Sequence, residues 1–367
     1  MPKRKGHIYE KMLDKNLIKR VIMNGAKGKK KRHDVKKVIK NPDKYASKIY
    51  DLLERDAYVP TKPKRLIIQD KSSGKMRRIG VVPFYPDGIM HRLCVEVMQD
   101  ILMKGMYHWS CASIPGRGNR HAMKGIKKAL RNWRKSKYCA KMDIYHYYPS
   151  IDPDKILTKL SRKIKDRKFI SLVERIIQSD PEPGLTIGFY INQWLANFYL
   201  ESLDHYICTL PGIHGYVRNM DDLILIGPNK KKLHKAVDAV DTYLSGMGLR
   251  LKENWQVFKT DSRGIDFVGY RFFHGYTKLR KRNFLKLTRH CRKVMRQIKA
   301  GKRISFHSAA GLLSRKGQLE HCNSENILKK YYYPIGDNRL KSIVSNHSRK
   351  QKEGDMHGPY GAHKRIS

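Results

Sequence analysis

Two adjacent acids, Asp221 and Asp222, interrupt a largely apolar stretch that runs from Tyr216 to Gly227. Burying two carboxylates inside paired strands is costly unless something compensates them. A hairpin relieves that cost by placing both at its tip, so Tyr216–Met220 and Leu223–Gly227 read as the two strands. Alone, such a pair is compatible with an ordinary exposed turn. A second apolar strand, Tyr138 to Ile144, carries Asp143 near its end. If the two strands are neighbours, their acidic ends meet, and like charges at that range call for a cation. Magnesium is the hard ion that suits carboxylates together with phosphate oxygens. Two such ions can clamp the attacking and leaving oxygens of an in-line phosphoryl transfer. That chemistry also needs positive charge over the phosphates, and Lys75, Arg77 and Arg78 are candidates for it.

The charge balance points to the same kind of partner. Lys and Arg total 78 against 32 Asp and Glu, a formal +46 in 367 residues, and the excess runs through the whole chain. A protein this basic repels itself unless a polyanion neutralises it, and binding to a phosphate backbone is then strongly salt-dependent. Charge alone would equally suit a ribosomal or packaging protein. The six cysteines form no CxxC pair, and reduced thiols in a cytoplasmic protein are expected. No apolar run approaches the roughly 18 residues of a membrane span. The basic N-terminus has no apolar stretch after it, so no signal peptide is expected.

Apolar spacing gives a coarse outline. Ile8, Met12, Leu13, Leu17 and Ile18 suit one helical face, and Val35, Val38 and Ile39 begin another, with a Gly- and Lys-rich loop over 25–32 between them. Residues 65–83 read as a β-hairpin with basic residues at its tip. Helices are predicted over 87–107, 119–135, 153–178 and 230–247, and along a face from Ile191 to Leu203. Val257-Phe258 and the segment 265–273 read as strands. Beyond 280 the chain is basic and helical. From about 345 it turns polar, and disorder, or order only on RNA, is expected there.

Six segments then stand in order: Arg77-Arg-Ile-Gly-Val-Val-Pro83, Ala112-Ser-Ile-Pro-Gly-Arg-Gly-Asn-Arg-His121, Asp143-Ile-Tyr-His-Tyr-Tyr-Pro-Ser-Ile151, Gly184-Leu-Thr-Ile-Gly-Phe-Tyr-Ile-Asn-Gln193, Tyr216-Val-Arg-Asn-Met-Asp-Asp222 and Phe267-Val-Gly-Tyr270. Each is weak alone; together the series resembles that of reverse transcriptases over roughly residues 50–330. The Tyr-Tyr-Pro-Ser-Ile segment and the Arg-x-Met-Asp-Asp form are most similar to bacterial retroelement enzymes of the diversity-generating and group II intron-like kinds. The resemblance implies an α+β right-hand polymerase with a basic helical N-terminal extension over 1–59. Fingers would span 60–135, the palm 136–275, a helical thumb 276–335 and a basic tail 336–367. Gly317-Gln-Leu-Glu-His-Cys-Asn-Ser324 looks like the thumb segment that packs along a duplex.

The same resemblance implies the site. Asp143, Asp221 and the backbone carbonyl of Ile144 would hold two Mg²⁺ ions, with Mn²⁺ as a substitute, and Asp222 would assist. Arg77 would meet the incoming triphosphate, with Lys75 and Arg78 nearby. Tyr148 would be the ring beneath the sugar that excludes a 2′-hydroxyl, with Tyr147 as its rival. Gly188 would let backbone approach the nascent base pair, Gln193 would hold the start of the following helix, and Ile187 would lie against the templating pair. The implied partners are template RNA and its RNA/DNA heteroduplex, deoxynucleoside triphosphates and a small basic accessory protein. The sequence also departs from the family pattern. Asn219 replaces an aromatic residue, Asn192 a serine and Thr186 a proline, and Trp255-Gln256 stands in place of a Lys-Thr pair. Residues after 335 lack the length and metal motifs of an appended nuclease. The readings left open are an error-prone diversity-generating enzyme, a group II intron-like or phage-defence enzyme, and a catalytically idle RNA-binding scaffold.

Overall fold

The computed structural model describes residues 4–69, 74 and 76–356, with side chains described as far as 349. Its chain divides into two units, one of residues 1–129 and 134–258, the other of 130–133 and 259–367.

The first unit is built on a five-stranded sheet. Its strands are β3 (Ser110–Cys111), β4 (Tyr138–Asp143), β5 (Gly215–Asn219), β6 (Asp222–Gly227) and β7 (Gln256–Lys259), in the order β3-β5-β6-β4-β7. A separate two-stranded hairpin is formed by β1 (Lys64–Gln69) and β2 (Met76–Val81), paired from Lys64↔Val81 to Gln69↔Met76. Strand β6 is a nearly continuous Leu/Ile run, buried from Leu223 to Gly227, and its neighbour β4 buries Cys139, Ala140 and Met142. Helices Ile89–Met103, Tyr190–Tyr199 and Lys230–Gly246 belong to the same core, through Leu93, Met98, Leu195, Phe198, Val237 and Val240, all buried. The N-terminal helices Lys15–Gly25, His33–Lys40 and Pro42–Glu54 join this core through Ile18, Val35 and Ile49. Asp166 anchors the chain's start: its carboxylate accepts from the backbone N–H of Ile8 and Tyr9, both at 2.8 Å, while capping the helix Arg167–Gln178.

The second unit holds a three-stranded antiparallel sheet of β8 (Ile265–Phe267), β9 (Tyr270–Phe272) and β10 (Thr277–Leu279), in the order β10-β9-β8. Helices Lys281–Lys299, Phe306–Leu319 and Asp337–Met356 follow. No helix among the described residues is long and apolar enough to cross a membrane.

Several sequence-based expectations are corrected. The segment 265–273 is a hairpin, not one strand. Val268 (φ 41°) and Gly269 (φ 93°) both take left-handed backbone, as a tight two-residue turn requires, and a β-branched residue hides that signal. The expected helix over 153–178 is two helices, Pro153–Ser161 and Arg167–Gln178, because Asp166 starts a new one. The face from Ile191 to Leu203 likewise breaks at Leu200, between Tyr190–Tyr199 and Glu201–Thr209. The first N-terminal face is a short 3₁₀ turn, Glu10–Met12, followed by a helix that Asp14 caps. The tail is not disordered from 345: the helix Asp337–Met356 continues through it, held at its start by Lys316 and Tyr332, which both donate to Asp337 at 2.9 Å. Residues 357–367, and Lys75 with most of the β1–β2 tip, lie outside the described residues.

One buried ion pair fixes β5. The Arg218 side chain is fully buried and donates to both oxygens of Asp204, at 2.7 and 2.6 Å. It also donates to Ser110 Oγ (2.7 Å), Asn197 Oδ1 (3.2 Å) and the carbonyl of Met220 (3.1 Å), while Tyr216 donates to Asp204 (2.6 Å). Burial alone would lower the guanidinium pKa; Asp204 more than offsets it and the net direction is upward. Strand β5, edge strand β3 and the acidic turn are thereby fastened to one residue. Arg218→Met should lower unfolding stability by about 3–5 kcal/mol, because Asp204 is left buried without its cation. Adding Asp204→Leu to that variant should recover much of the loss. Denaturant unfolding of the three proteins checks this, and a loss below about 1 kcal/mol for the single variant would contradict it.

Candidate active site

The acidic residues meet through strand register. Asp143, last in β4, pairs directly with Asp222, first in β6, and Asn219, last in β5, pairs with Asp222 from the other side. Asp221 sits in the turn after Met220, whose φ of 59° makes the reversal tight. The Ile144 N–H donates to the Asp221 carbonyl at 3.0 Å, so the β4 end and the turn are joined by backbone as well. Opposite β4, the segment 250–252 adds a short antiparallel bridge: Tyr145 N–H donates to the Arg250 carbonyl (2.9 Å) and Lys252 N–H to the Asp143 carbonyl (2.8 Å).

That bridge places a lysine against the acids. The Lys252 ammonium forms an ion pair with Asp143, and Lys141 Nζ lies 3.9 Å from Asp222. The buried Oδ1 of Asp143 makes no hydrogen bond of normal geometry and stands against this ammonium. Burial raises the Asp221 pKa, and the positive charges of Arg77 and Arg218 pull it back in part. Among the described residues no three His, Cys, Asp or Glu side chains gather as a ready metal cage. In the acidic turn, lysines stand where a counter-cation would.

Beside the turn lies a cavity of about 420 Å³, lined among others by Arg77, Arg78, Tyr148, Ile187, Asp221 and Lys252. Arg77 and Arg78 come from β2, and Arg78 approaches Glu182 at 3.7 Å, an exposed pair of little worth by itself. After Asp143 the chain turns through His146 (φ 41°) into the short helix Tyr147–Ser150, which separates the two tyrosines. Tyr147 also lines the cavity, but its ring is buried and its hydroxyl donates to the Ala196 carbonyl at 2.5 Å. Tyr148 is half-buried, with its hydroxyl 3.7 Å from Met220 Sδ, and burial raises its phenol pKa. Ile187 accepts from the Gly80 N–H of β2 at 2.8 Å through its carbonyl. Gly188 has φ 112°, and a Cβ there would lie 2.4 Å from the Gly80 carbonyl oxygen. The close approach this glycine permits here is therefore to β2. Gln193 is in the helix Tyr190–Tyr199, where its carbonyl accepts from Asn197 Nδ2 at 3.2 Å.

Sequence reasoning did not single out Lys252, Lys141, Arg65 or Asp180. Lysines are so common here that no one of them stands out. The only local signal for Lys252 was the alternation Leu249-Arg-Leu-Lys252, a short extended segment.

A family model described as reverse transcriptase (RNA-dependent DNA polymerase) matches residues 68–272, more than half of the chain. The chain belongs to the reverse transcriptase family. Reverse transcriptases use divalent metal ions. The donor chemistry suits such ions: Asp143 and Asp222 are cross-strand partners, Asp221 is in the adjoining turn, and a buried Asp143 oxygen lacks a hydrogen bond of normal geometry, although the three side chains do not converge on one point as they stand. Two relatives are similar in sequence. The group II intron-encoded protein LtrA of Lactococcus lactis subsp. cremoris is 26% identical over 172 residues, 44% of this chain and 28% of that protein. An uncharacterized 91 kDa protein in the cob intron of Schizosaccharomyces pombe is 27% identical over 165 residues, 42% of this chain and 20% of that protein. The matches thus span between a fifth and three tenths of these relatives. A solved telomerase from Candida albicans, in complex with a TWJ fragment of telomeric RNA, aligns with TM-score 0.51 and 12% identity over 83% of this chain and 58% of that one. The shared fold is that of right-hand polymerases, in keeping with the mixed α+β class.

If the lysine and a metal ion compete for Asp143, binding to the metal-free reverse transcriptase should move both ways. Asp143→Asn should weaken Mn²⁺ binding by about tenfold or more, and Lys252→Met should tighten it by roughly threefold or more. Electron paramagnetic resonance titration measures both. Equal affinities in the three proteins would contradict the arrangement.

Proposed function

We propose that this chain is an RNA-directed DNA polymerase that copies an element-encoded RNA into cDNA by two-metal nucleotidyl transfer, with low fidelity, in a diversity-generating retroelement. The observation that carries the polymerase reading is the pairing of Asp143 with Asp222 beside a cavity lined by Arg77, Tyr148 and Ile187. Asp143, Asp221 and the Ile144 carbonyl hold two Mg²⁺ ions in this reading, Mn²⁺ can replace them, and Asp222 orients the set. When bound, the ions activate the primer 3′-hydroxyl and stabilise charge on the triphosphate. The protein's own part is to position and to select. Arg77, supported by Lys75 and Arg78, meets the triphosphate. Tyr148 lies beneath the sugar in this reading and leaves no room for a 2′-hydroxyl; the bond from the Tyr147 hydroxyl to Ala196 supports Tyr148 over its rival Tyr147. Gly188 lets backbone approach the nascent base pair, and Gln193 holds the start of the following helix.

Fingers over 60–135, palm over 136–275 and thumb over 276–335 are the assignments that go with this reading. The N-terminal extension and the C-terminal tail supply further phosphate contacts. Template RNA, the RNA/DNA heteroduplex and deoxynucleoside triphosphates are the partners, with a small basic accessory protein, in the cytoplasm. The net charge of +46 supports a polyanionic partner.

Ile187 supports the error-prone subtype. Its side chain neither donates nor accepts a hydrogen bond, so it can only pack against the nucleotide. A site with fewer specific polar contacts discriminates less against a mispair. A second reading, a group II intron-like enzyme, is favoured by the similarity to LtrA.

Sequencing cDNA made by the purified protein from a defined RNA template separates these readings. We expect low fidelity, worst opposite template adenine, and a partial gain in accuracy with Ile187→Gln. The same assay with Tyr148→Ala should raise the ribonucleotide share. Errors at adenine no higher than elsewhere would remove the diversity-generating reading, and absence of template-directed DNA would remove the polymerase reading.

A further inference from the structure

The loop between the helices Arg167–Gln178 and Tyr190–Tyr199 carries Ile187 to the cavity, with Gly188 beside it, and a buried carboxylate within it bonds both to the loop itself and to β1. The Asp180 side chain is 1% exposed. Its Oδ1 is ion-paired with Arg65 of β1 and accepts from the Glu182 N–H at 3.2 Å. Its Oδ2 accepts from the Thr186 hydroxyl at 2.5 Å. Thr186 is tied from its other side: its carbonyl accepts from Asn192 Nδ2, at 3.1 Å, and Asn192 is fully buried in the helix Tyr190–Tyr199.

These bonds cross from hairpin to loop at two places. Arg65 reaches Asp180, and also Glu182 at 3.3 Å, from β1. Fifteen residues further on, Gly80 of β2 donates to the Ile187 carbonyl, and a Cβ on Gly80 would lie 2.3 Å from Thr186 Cγ2, so strand and loop are in close contact. An isolated two-stranded hairpin is marginal in water, and this one exposes Leu66, Ile67, Ile68 and Met76. What holds it to the unit matters correspondingly. Thr186 and Asn192 are two of the positions at which the sequence departs from its family pattern, and here they bond to each other. A proline at 186 could not donate to Asp180.

We infer that Asp180, with Arg65 and Thr186, is a positioning residue that locks the β1–β2 hairpin, carrying Arg77, to the loop carrying Ile187, so that the triphosphate and base ends of the nucleotide site move as one body. The nucleotide part rests on the polymerase reading above. The hairpin attachment does not. Removing the Thr186 hydroxyl leaves Asp180 buried with one donor fewer and lets the loop shift against β2. The hairpin and the loop then grip the nucleotide less well together, while the acidic ends of β4 and β6 keep their place, so binding is lost rather than the chemical step.

Two measurements test it, on the full chain. With Thr186→Val or Arg65→Met, hydrogen exchange of the Gly80 amide in the free protein should quicken by about tenfold, and the KM for deoxynucleotides should rise by about tenfold while kcat stays within about twofold. Thr186→Ser keeps the hydroxyl and should restore both. Arg65→Met alters a partly exposed side chain and serves if the threonine variant does not fold. Wild-type protection of Gly80, or an unchanged KM, in a folded variant overturns the inference. A wild-type protein that makes no DNA defeats the polymerase reading instead, and the exchange result then decides the attachment alone.

Discussion

Two carboxylates facing each other across neighbouring strands repel, and this chain sets its strand register so that they must. Pairing Tyr138 with Gly227 at one end of β4 and β6 brings Asp143 against Asp222 at the other. A slip of one residue would relieve the repulsion but would also turn the apolar residues of both strands over. Backbone bonds from the Ile144 N–H to the Asp221 carbonyl and from the Lys252 N–H to the Asp143 carbonyl hold the acidic ends in this register. Local cations temper it. Lys252 pairs with Asp143 across the 250–252 bridge, and Lys141 lies near Asp222. The turn itself is held by Arg218, which donates to the Met220 carbonyl while bound to Asp204. A site that meets its charge partly with lysines can exchange them for a metal ion without changing the backbone.

The groups that line the cavity reach it from separate parts of the chain. Tyr148 follows Asp143 on the same short excursion of the chain, Arg77 reaches in from β2, and Ile187 comes from the loop that Asp180 holds. Each group arrives from a different segment, and each segment has its own fastening. Gly80 to Ile187 joins hairpin and loop, Ile144 to Asp221 joins β4 and the turn, and Tyr147 to Ala196 anchors the helix that carries Tyr148.

Much of this was legible in the sequence because it rests on local patterns. The acidic hairpin, the strand ending at Asp143 and the β1–β2 hairpin follow from apolar runs bounded by turn residues, and strand pairing then converges the acids. Tyr148 and Ile187 were placed by family resemblance, and both line the cavity. What was illegible depends on partners far apart in the chain. Asp180 meets Arg65 across more than a hundred residues, and Arg218 meets Ser110. Lys252 had no distinguishing pattern among so many lysines. The split of 265–273 into β8 and β9 was missed because Val268 takes a left-handed conformation that β-branched residues rarely adopt. The part of the last helix beyond 345 was missed because its polar composition resembles that of unfolded chain.

If the acidic turn serves chemistry and the basic surface serves RNA binding, the two functions separate under substitution. The most direct measurement compares primer extension on an RNA template with RNA affinity for Asp221→Ala and the unaltered chain in Mg²⁺. Extension should fall by about 100-fold or more, and RNA affinity should stay within about twofold, because one carboxylate is little beside a net charge of +46. Extension by the variant at more than about a tenth of the unaltered rate would contradict the account.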